Sequence, residues 1–217
     1  MARIVRTLGI VTISMSVCTA VTAQSNVDPV NKHAWGNNIG WQNWRDTTAT
    51  TQGVVVGITF LSGFVWGENI GWLTVGDGSP ANGAAYSNTS GADSGVNILP
   101  SGFLDGFAWG ENIGWVNFGT EPFVSPAFGA RFMQDRLAGF AWSENAGWIN
   151  LDNVVTGKFV GLNCPADFNN DGIVDGADIS IILNVFGSST ARLDLNDDGI
   201  INSGDISFVL NLFGQCP

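Results

Sequence analysis

Basic side chains are scarce in this chain of 217 residues: eight Lys and Arg stand against nineteen Asp and Glu, for a net charge of −11. A protein that grips a phosphate backbone needs a basic face, so the composition speaks against nucleic-acid binding. Histidine is nearly absent; His33 is the single one and reads as a solvated strand residue. There is no G-x-S-x-G elbow, no cysteine nucleophile outside a presumed disulfide and no Gly-rich phosphate loop, which removes the commonest nucleophilic and nucleotide-dependent enzymes. Long apolar runs are missing too. Past the N-terminus nothing approaches the roughly 20 apolar residues that a membrane-spanning helix requires.

Residues 1–23 carry the pattern of a secretory leader: Arg3 and Arg6, the apolar run Leu8 to Val17, then Val21-Thr22-Ala23 with small residues where a signal peptidase cuts, before Gln24. Cys18 follows Val17, a poor match to a lipoprotein site. The expectation is a soluble exported chain, secreted or attached at a bacterial cell surface. Removing the leader takes Arg3, Arg6 and Cys18 with it, leaving a net charge of −13 and two cysteines, Cys164 and Cys216. An even pair in an oxidising compartment predicts a disulfide, Cys164–Cys216.

What the chain has in abundance is tryptophan. Eight of its nine Trp residues sit in four heptapeptides: W-G-N-N-I-G-W at 35–41, W-G-E-N-I-G-W at 66–72 and 109–115, and W-S-E-N-A-G-W at 142–148. The periods are 31, 43 and 33 residues, in the range of repeat units. Alternating apolar segments flank each heptapeptide, such as Leu61 to Trp66 before it and Leu73 to Val75 after it, so each unit predicts a β-hairpin. Phe64 and Trp66 fall on one face, Leu61, Gly63 and Val65 on the other, and Gly at the centre of a face invites a close neighbour. A third strand opens each full unit at 53–56, 95–98 and 129–132. The first unit lacks one, and residues 157–160 are expected to supply it, closing the domain on itself and removing its sheet edges. Residues 24–160 are therefore expected to form an all-β repeat domain of antiparallel hairpins, as a closed barrel or a small four-bladed ring, with a twisted sandwich as the fallback. Residues 76–94, rich in Gly, Ser, Asn and Ala, read as a long mobile connection.

The Trp pairs admit two roles, core packing across the strands or a platform for sugar rings, and their regular placement favours packing. Trp44, outside the pattern, is then the expected exposed ring and the candidate glycan contact. Glu68-Asn69, Glu111-Asn112 and Glu144-Asn145 read as turn chemistry. A glycoside hydrolase, the runner-up enzymatic reading, needs two carboxylates in unlike environments, and Glu at equivalent repeat positions does not provide them.

The C-terminal quarter carries a different pattern. Asp167 to Asp178 reads D-F-N-N-D-G-I-V-D-G-A-D, and Asp194 to Asp205, 27 residues on, reads D-L-N-D-D-G-I-I-N-S-G-D. Oxygen side chains at positions 1, 3, 5, 9 and 12, with Gly172 and Gly199 at position 6, make a ligand set for Ca²⁺, a hard cation taking six to eight oxygens. The expected ligands are Asp167, Asn169, Asp171, Ile173 through its carbonyl, Asp175 and Asp178 at one site. At the other they are Asp194, Asn196, Asp198, Ile200 through its carbonyl, Asn202 and Asp205. Ile179, Ile182, Leu183 and Phe186, and again Ile206, Val209, Leu210 and Phe213, predict a helix after each loop, stopped by Gly187 and Gly214.

Two loop-helix units without an incoming helix are half EF-hands, and residues 164–217 resemble a type I dockerin, joined to the repeats by residues 161–163. That resemblance implies a small α-helical module with two Ca²⁺ ions and a cohesin domain as partner. In cellulosomal members the cohesin-contacting loop positions 10 and 11 are often Ser-Thr; here they are Gly176-Ala177 and Ser203-Gly204. The leading expectation is a secreted, non-catalytic protein that presents a β-repeat domain on a calcium-dependent dockerin. The alternative is a carbohydrate-binding or glycan-degrading component of a polysaccharide-processing complex.

Overall fold

Each W-x-x-N-x-G-W segment forms the turn of an antiparallel hairpin, and the four hairpins close on one another. The computed structural model describes residues 24–45, 53–214 and 216, and the leader expected at 1–23 lies outside the described residues. The first hairpin is β1 (Val27–Gly36) and β2 (Gly40–Asn43). The second unit places β3 (Val54–Val56) before β4 (Leu61–Gly67) and β5 (Gly71–Gly76), and the third places β6 (Val96–Ile98) before β7 (Leu104–Gly110) and β8 (Gly114–Asn117). The fourth has β9 (Arg131–Met133) and β10 (Arg136–Ala138), then β11 (Phe140–Ser143) and β12 (Gly147–Asn150), followed by β13 (Asp152–Asn153) and β14 (Lys158–Leu162).

Neighbouring hairpins pair in a repeated register: Asn43 opposite Trp66, Thr74 opposite Trp109, Asn117 opposite Trp142. The same register joins the ends, with Trp35 opposite Asn150 and Gly36 opposite Ile149. Strands β1, β2, β4, β5, β7, β8, β11 and β12 thus form a closed eight-stranded antiparallel barrel, with the remaining strands attached to it. Residues 158–160, within the segment expected to complete the first unit, run antiparallel to β1, where Val160 faces Lys32. The barrel itself closes one strand earlier, through β12.

A ring of side-chain bonds repeats this closure at the turns. Asn69 Nδ2 donates to Ile39 O at 3.1 Å, Asn112 Nδ2 to Ile70 O at 3.0 Å, Asn145 Nδ2 to Ile113 O at 3.1 Å, and Asn38 Nδ2 to Ala146 O at 3.2 Å. These asparagines bind the preceding hairpin, which goes beyond bonding within their own turns.

Strand alternation decides what fills the barrel. Ala34, Val65, Ala108 and Ala141 are buried, while the Trp residues on either side of the turns face out. Trp41, Trp72, Trp109, Trp115, Trp142 and Trp148 are 37–45% exposed. The expected placement of the Trp pairs in the core is therefore corrected: they clamp the hairpins from outside, ring centroids 4.7–4.9 Å apart. Trp44 is corrected in the opposite sense. It is 1% exposed and meets Phe118 edge-on at 6.2 Å inside the barrel, so it is no glycan contact. Counting three residues on from the second Trp of each pair gives the reason: Trp44, Val75, Phe118 and Leu151 occupy one inward repeat position, and all four are buried.

The interior tapers. At the turn end Ile39 lies against Gly36, where an added Cβ would stand 2.6 Å from Ile39 Cγ1, and Ile70 stands in the same relation to Gly67. In the fourth unit the glycine becomes Ser143 and the isoleucine becomes Ala146, a paired exchange that conserves the packing of the turn.

Three further glycines show how closely the attached strands approach. Gly63, Gly106 and Gly139 hold φ of +96°, +95° and +79°, and a Cβ there would run into the carbonyl oxygen of Gly53, Gly95 and Gly129. The neighbour that the sequence called for is thus backbone. Residues 76–94 also differ from the expected mobile connection. Tyr86, 4% exposed, anchors them: its N–H and C=O pair with the Asn97 amide at 2.8 and 2.9 Å, and its hydroxyl accepts from Gly78 N–H at 2.8 Å.

Gly139→Ala adds a clash to left-handed strain, whereas Gly157→Ala, at φ +66° with nothing within 4 Å, adds strain alone. Denaturant titration followed by Trp fluorescence should show a loss of about 1 kcal/mol for Gly157→Ala and about 3 kcal/mol for Gly139→Ala.

Candidate metal centre

The chain leaves β14 through Asn163, whose N–H donates to Asn26 O at 2.9 Å, and enters two successive loop-helix units. Their helices are α1 (Gly176–Asn184) and α2 (Ser203–Asn211). Both begin in a capping box that uses the last residue of the loop. Asp175 accepts from Ala177 N–H at 2.7 Å while Asp178 accepts from Asp175 N–H at 2.9 Å; Asn202 and Asp205 do the same in the second unit. Gly187 and Gly214, at φ +84° and +73°, follow the helices as expected.

Asp178 also reaches back across its loop, accepting from Phe168 N–H at 2.8 Å through the other carboxylate oxygen. Asp167 accepts from Asp171 N–H at 3.2 Å and from Gly172 N–H at 2.9 Å, and Asp171 N–H is shared with Asn169 Oδ1 at 3.0 Å. The second loop repeats these bonds atom for atom. Asp205 accepts from Leu195 N–H at 2.8 Å, and Asp194 accepts from Asp198 and Gly199 N–H at 3.2 and 2.7 Å. Residues 1 and 12 of each loop, Asp167 with Asp178 and Asp194 with Asp205, are buried, whereas Asp171, Asp198, Ile173 and Ile200 are exposed. Asn169, Asp175, Asn196 and Asn202 lie between them on the same loops, and the Ile200 carbonyl accepts from Asn202 Nδ2 at 3.2 Å.

These side chains fit a hard cation. The donors are all oxygen, and burial pushes the Asp167 carboxyl up against the opposing Gly172 and Asp171 N–H bonds, with the charges of Asp178 and Asp171 adding to the rise. Carboxylates held together out of water are stabilised by a bound divalent ion, which restores the charged form of each. The Cys164–Cys216 disulfide is formed, 52 residues apart in sequence, and joins the entry of the module to its end.

One residue that motif reading passed over organises the underside of the first loop. Arg192, 1% exposed, donates to Pro165 O at 2.6 Å and lies over the rings of Phe168 in the module and Phe132 in the barrel, at 5.1 and 5.5 Å. Burial pushes its guanidinium down to about 10, against the attraction of Asp167 and Asp178, so it stays charged at neutral pH. Asn26 Nδ2 donates to Asn170 Oδ1 at 2.7 Å, and Ile58 packs on the module core. The module is thereby seated on the wide end of the barrel. The lone basic residue among eight acids was the signal available in the sequence.

The helix stripes divide differently from their spacing. Ile182 and Val209 are buried, while Leu183, Phe186, Leu210 and Phe213 are 49–55% exposed. A nine-residue helix presents too little surface to bury a face two residues wide, and Val185 and Ile181 pack on the core in their place.

Residues 165–213 match the family model of the dockerin type I domain, and the residues upstream have no family assignment. No curated protein and no solved structure matches the chain.

All nine Trp residues precede the module, so fluorescence reports the barrel and ellipticity at the helix band reports the module. Cys216→Ser is expected to lower the unfolding free energy read from helix ellipticity by about 4 kcal/mol, the loop-closure value for this separation, with a smaller shift in the fluorescence transition.

Proposed function

We propose that this is an exported, non-catalytic protein whose C-terminal dockerin type I domain fixes the β-barrel to a cohesin-bearing scaffold or surface in the presence of calcium. A dockerin implies calcium-dependent attachment to a cohesin and is itself a non-catalytic module. The observation that carries the reading is the duplicated loop: two twelve-residue segments place the same buried carboxylates at positions 1 and 12 and repeat one hydrogen-bond pattern.

On this reading one Ca²⁺ is held by Asp167, Asn169, Asp171, Asp175, Asp178 and the Ile173 carbonyl, and a second by Asp194, Asn196, Asp198, Asn202, Asp205 and the Ile200 carbonyl. The ion supplies the positive charge that lets the buried carboxylates stay ionised, and folding and metal binding become one event. Leu183 and Phe186 on one unit and Leu210 and Phe213 on the other offer two equivalent apolar patches for the partner. Gly176-Ala177 and Ser203-Gly204 flank them and set which cohesin is accepted. Among the described residues no helix is long and apolar enough to cross a membrane.

The test immobilises the mature chain and passes the secreted and surface fractions of its source over it, with calcium and with chelator. Retention of a cohesin-bearing protein with calcium alone is the expected result; retention of none, with the module folded, overturns attachment. Asp178→Ala and Asp205→Ala should each abolish calcium binding at their own loop and unfold that half at ordinary calcium levels. Unchanged far-UV CD and calcium affinity in Asp178→Ala would refute the ligand assignment.

A further inference from the structure

The outside of the barrel carries an extensive, regularly spaced aromatic surface. Each hairpin bears a pair of facing indoles and a third ring set edge-on to the second: Phe64 to Trp72, Phe107 to Trp115 and Phe140 to Trp148, at 6.1–6.3 Å. In the first hairpin His33 takes the place of the Phe, 6.2 Å from Trp41. Burial and the charges of Lys32 and Lys158 push its imidazole down, which keeps that ring neutral at pH 7. Elsewhere the repeats have diverged: Gln42, Leu73, Val116 and Ile149 fill one inward position, and Gly is exchanged for Ser143. The eight outward indoles are invariant within the chain.

At each junction between successive hairpins an outward indole of one stands opposite a small polar residue of the other; indoles of both hairpins line the first two junctions, Trp41 with Trp66 and Trp72 with Trp109, and at the third Trp142 and Trp148 of one hairpin lie beside Asn117. Asn43 faces Trp66, Thr74 faces Trp109, Asn117 faces Trp142 and Asn150 faces Trp35. Three of these junctions open as shallow grooves of about 440, 380 and 340 Å³. Glu68 borders the first, between Trp41 and Trp66, and Glu111 borders the second, between Trp72 and Trp109.

We propose that these grooves are a circumferential set of binding sites for a neutral, pyranose-based glycan. The chemistry selects the ligand class. An exposed indole face offers stacking to a ring that is apolar on its faces, and the Asn, Thr and Glu groups beside it offer hydrogen bonds to hydroxyls at its edge. Glu68 and Glu111 stand at two groove rims, with Lys158 the one base lining the first, so no groove presents the cluster of bases that an anionic polymer requires. Lipid is a poor match, because all barrel strands except β1 are four to seven residues long, whereas crossing a bilayer takes about 9–11. An extended peptide binds by adding a strand to an unpaired sheet edge, and the eight barrel strands are all paired on both sides. Each groove holds its ligand weakly by itself, and a polymer engages several of them at once. This proposal is independent of attachment through the module.

The experiment is an NMR titration of the mature full chain, in calcium, following the indole N–H signals. The probes are cellohexaose, xylohexaose and mannohexaose, with hexagalacturonate as the charged comparison and a proline decapeptide as the competing class. At least one neutral hexaose should shift the signals of Trp66, Trp72, Trp109 and Trp142 at millimolar concentration, and Trp44, enclosed in the barrel, should stay still. Thr74→Arg fills the middle groove over Trp109 and leaves all eight outward indoles in the chain; it should remove the ligand-induced Trp72 and Trp109 shifts and leave those at the other grooves. Silence with every neutral hexaose overturns the proposal. So does a response to the decapeptide or hexagalacturonate that the neutral hexaoses do not give, or survival of the Trp72 and Trp109 shifts in Thr74→Arg.

Discussion

Closure of the first hairpin on the last is the constraint on which the molecule rests. An open four-hairpin sheet would leave β1 and β12 as edges and expose one face of every inward residue; pairing Trp35 with Asn150 removes both liabilities at once. The Asn38 bond to Ala146 O completes the ring of turn-to-turn bonds that the other three asparagines begin. Because all four junctions share one register, any substitution at a repeat position has three internal counterparts against which its effect is measured.

The closed ring also sorts the aromatic residues. A barrel of eight strands has an interior filled by side chains of limited size, and here the inward positions near the turns are Ala, Gly, Val and Ser. Indoles cannot enter there, so they are placed outside, where each covers strand backbone on one face and meets solvent on the other. The wider end accommodates Trp44, Phe118, Leu104 and Leu137. That end is also where β3, β6 and β9 lie against the sheet and where the C-terminal module is seated through Arg192 and Asn26. The two ends of the barrel therefore have different tasks: one is sealed by asparagine-bonded turns, the other by a second module.

Much of this was legible in the residues. The hairpins, the third strands, the pairing of residues 158–160 with the first unit and the two loop-helix units follow from repeat spacing and from the oxygen pattern at loop positions 1, 3, 5, 9 and 12. The facing of the Trp pairs was not. Alternation separates Trp66 from Val65 but does not say which of two apolar faces is inside, and a large ring was the natural choice for a core. The inward list Trp44, Val75, Phe118 and Leu151 held the answer, since Phe and Leu at the equivalents of Trp44 mark that position as enclosed.

By itself the sequence determined the local elements, the fourfold repeat and the oxygen-rich pattern of the two C-terminal loops, because turn residues, strand period and donor spacing are short-range properties. Only the tertiary structure decided which face of the sheet became the interior, that the ring closes through β12, and that Arg192 lies between the aromatic rings of two modules. Those outcomes depend on the curvature of a closed sheet and the volume it encloses, which arise only when residues more than a hundred positions apart, such as Gly36 and Ile149, are brought together.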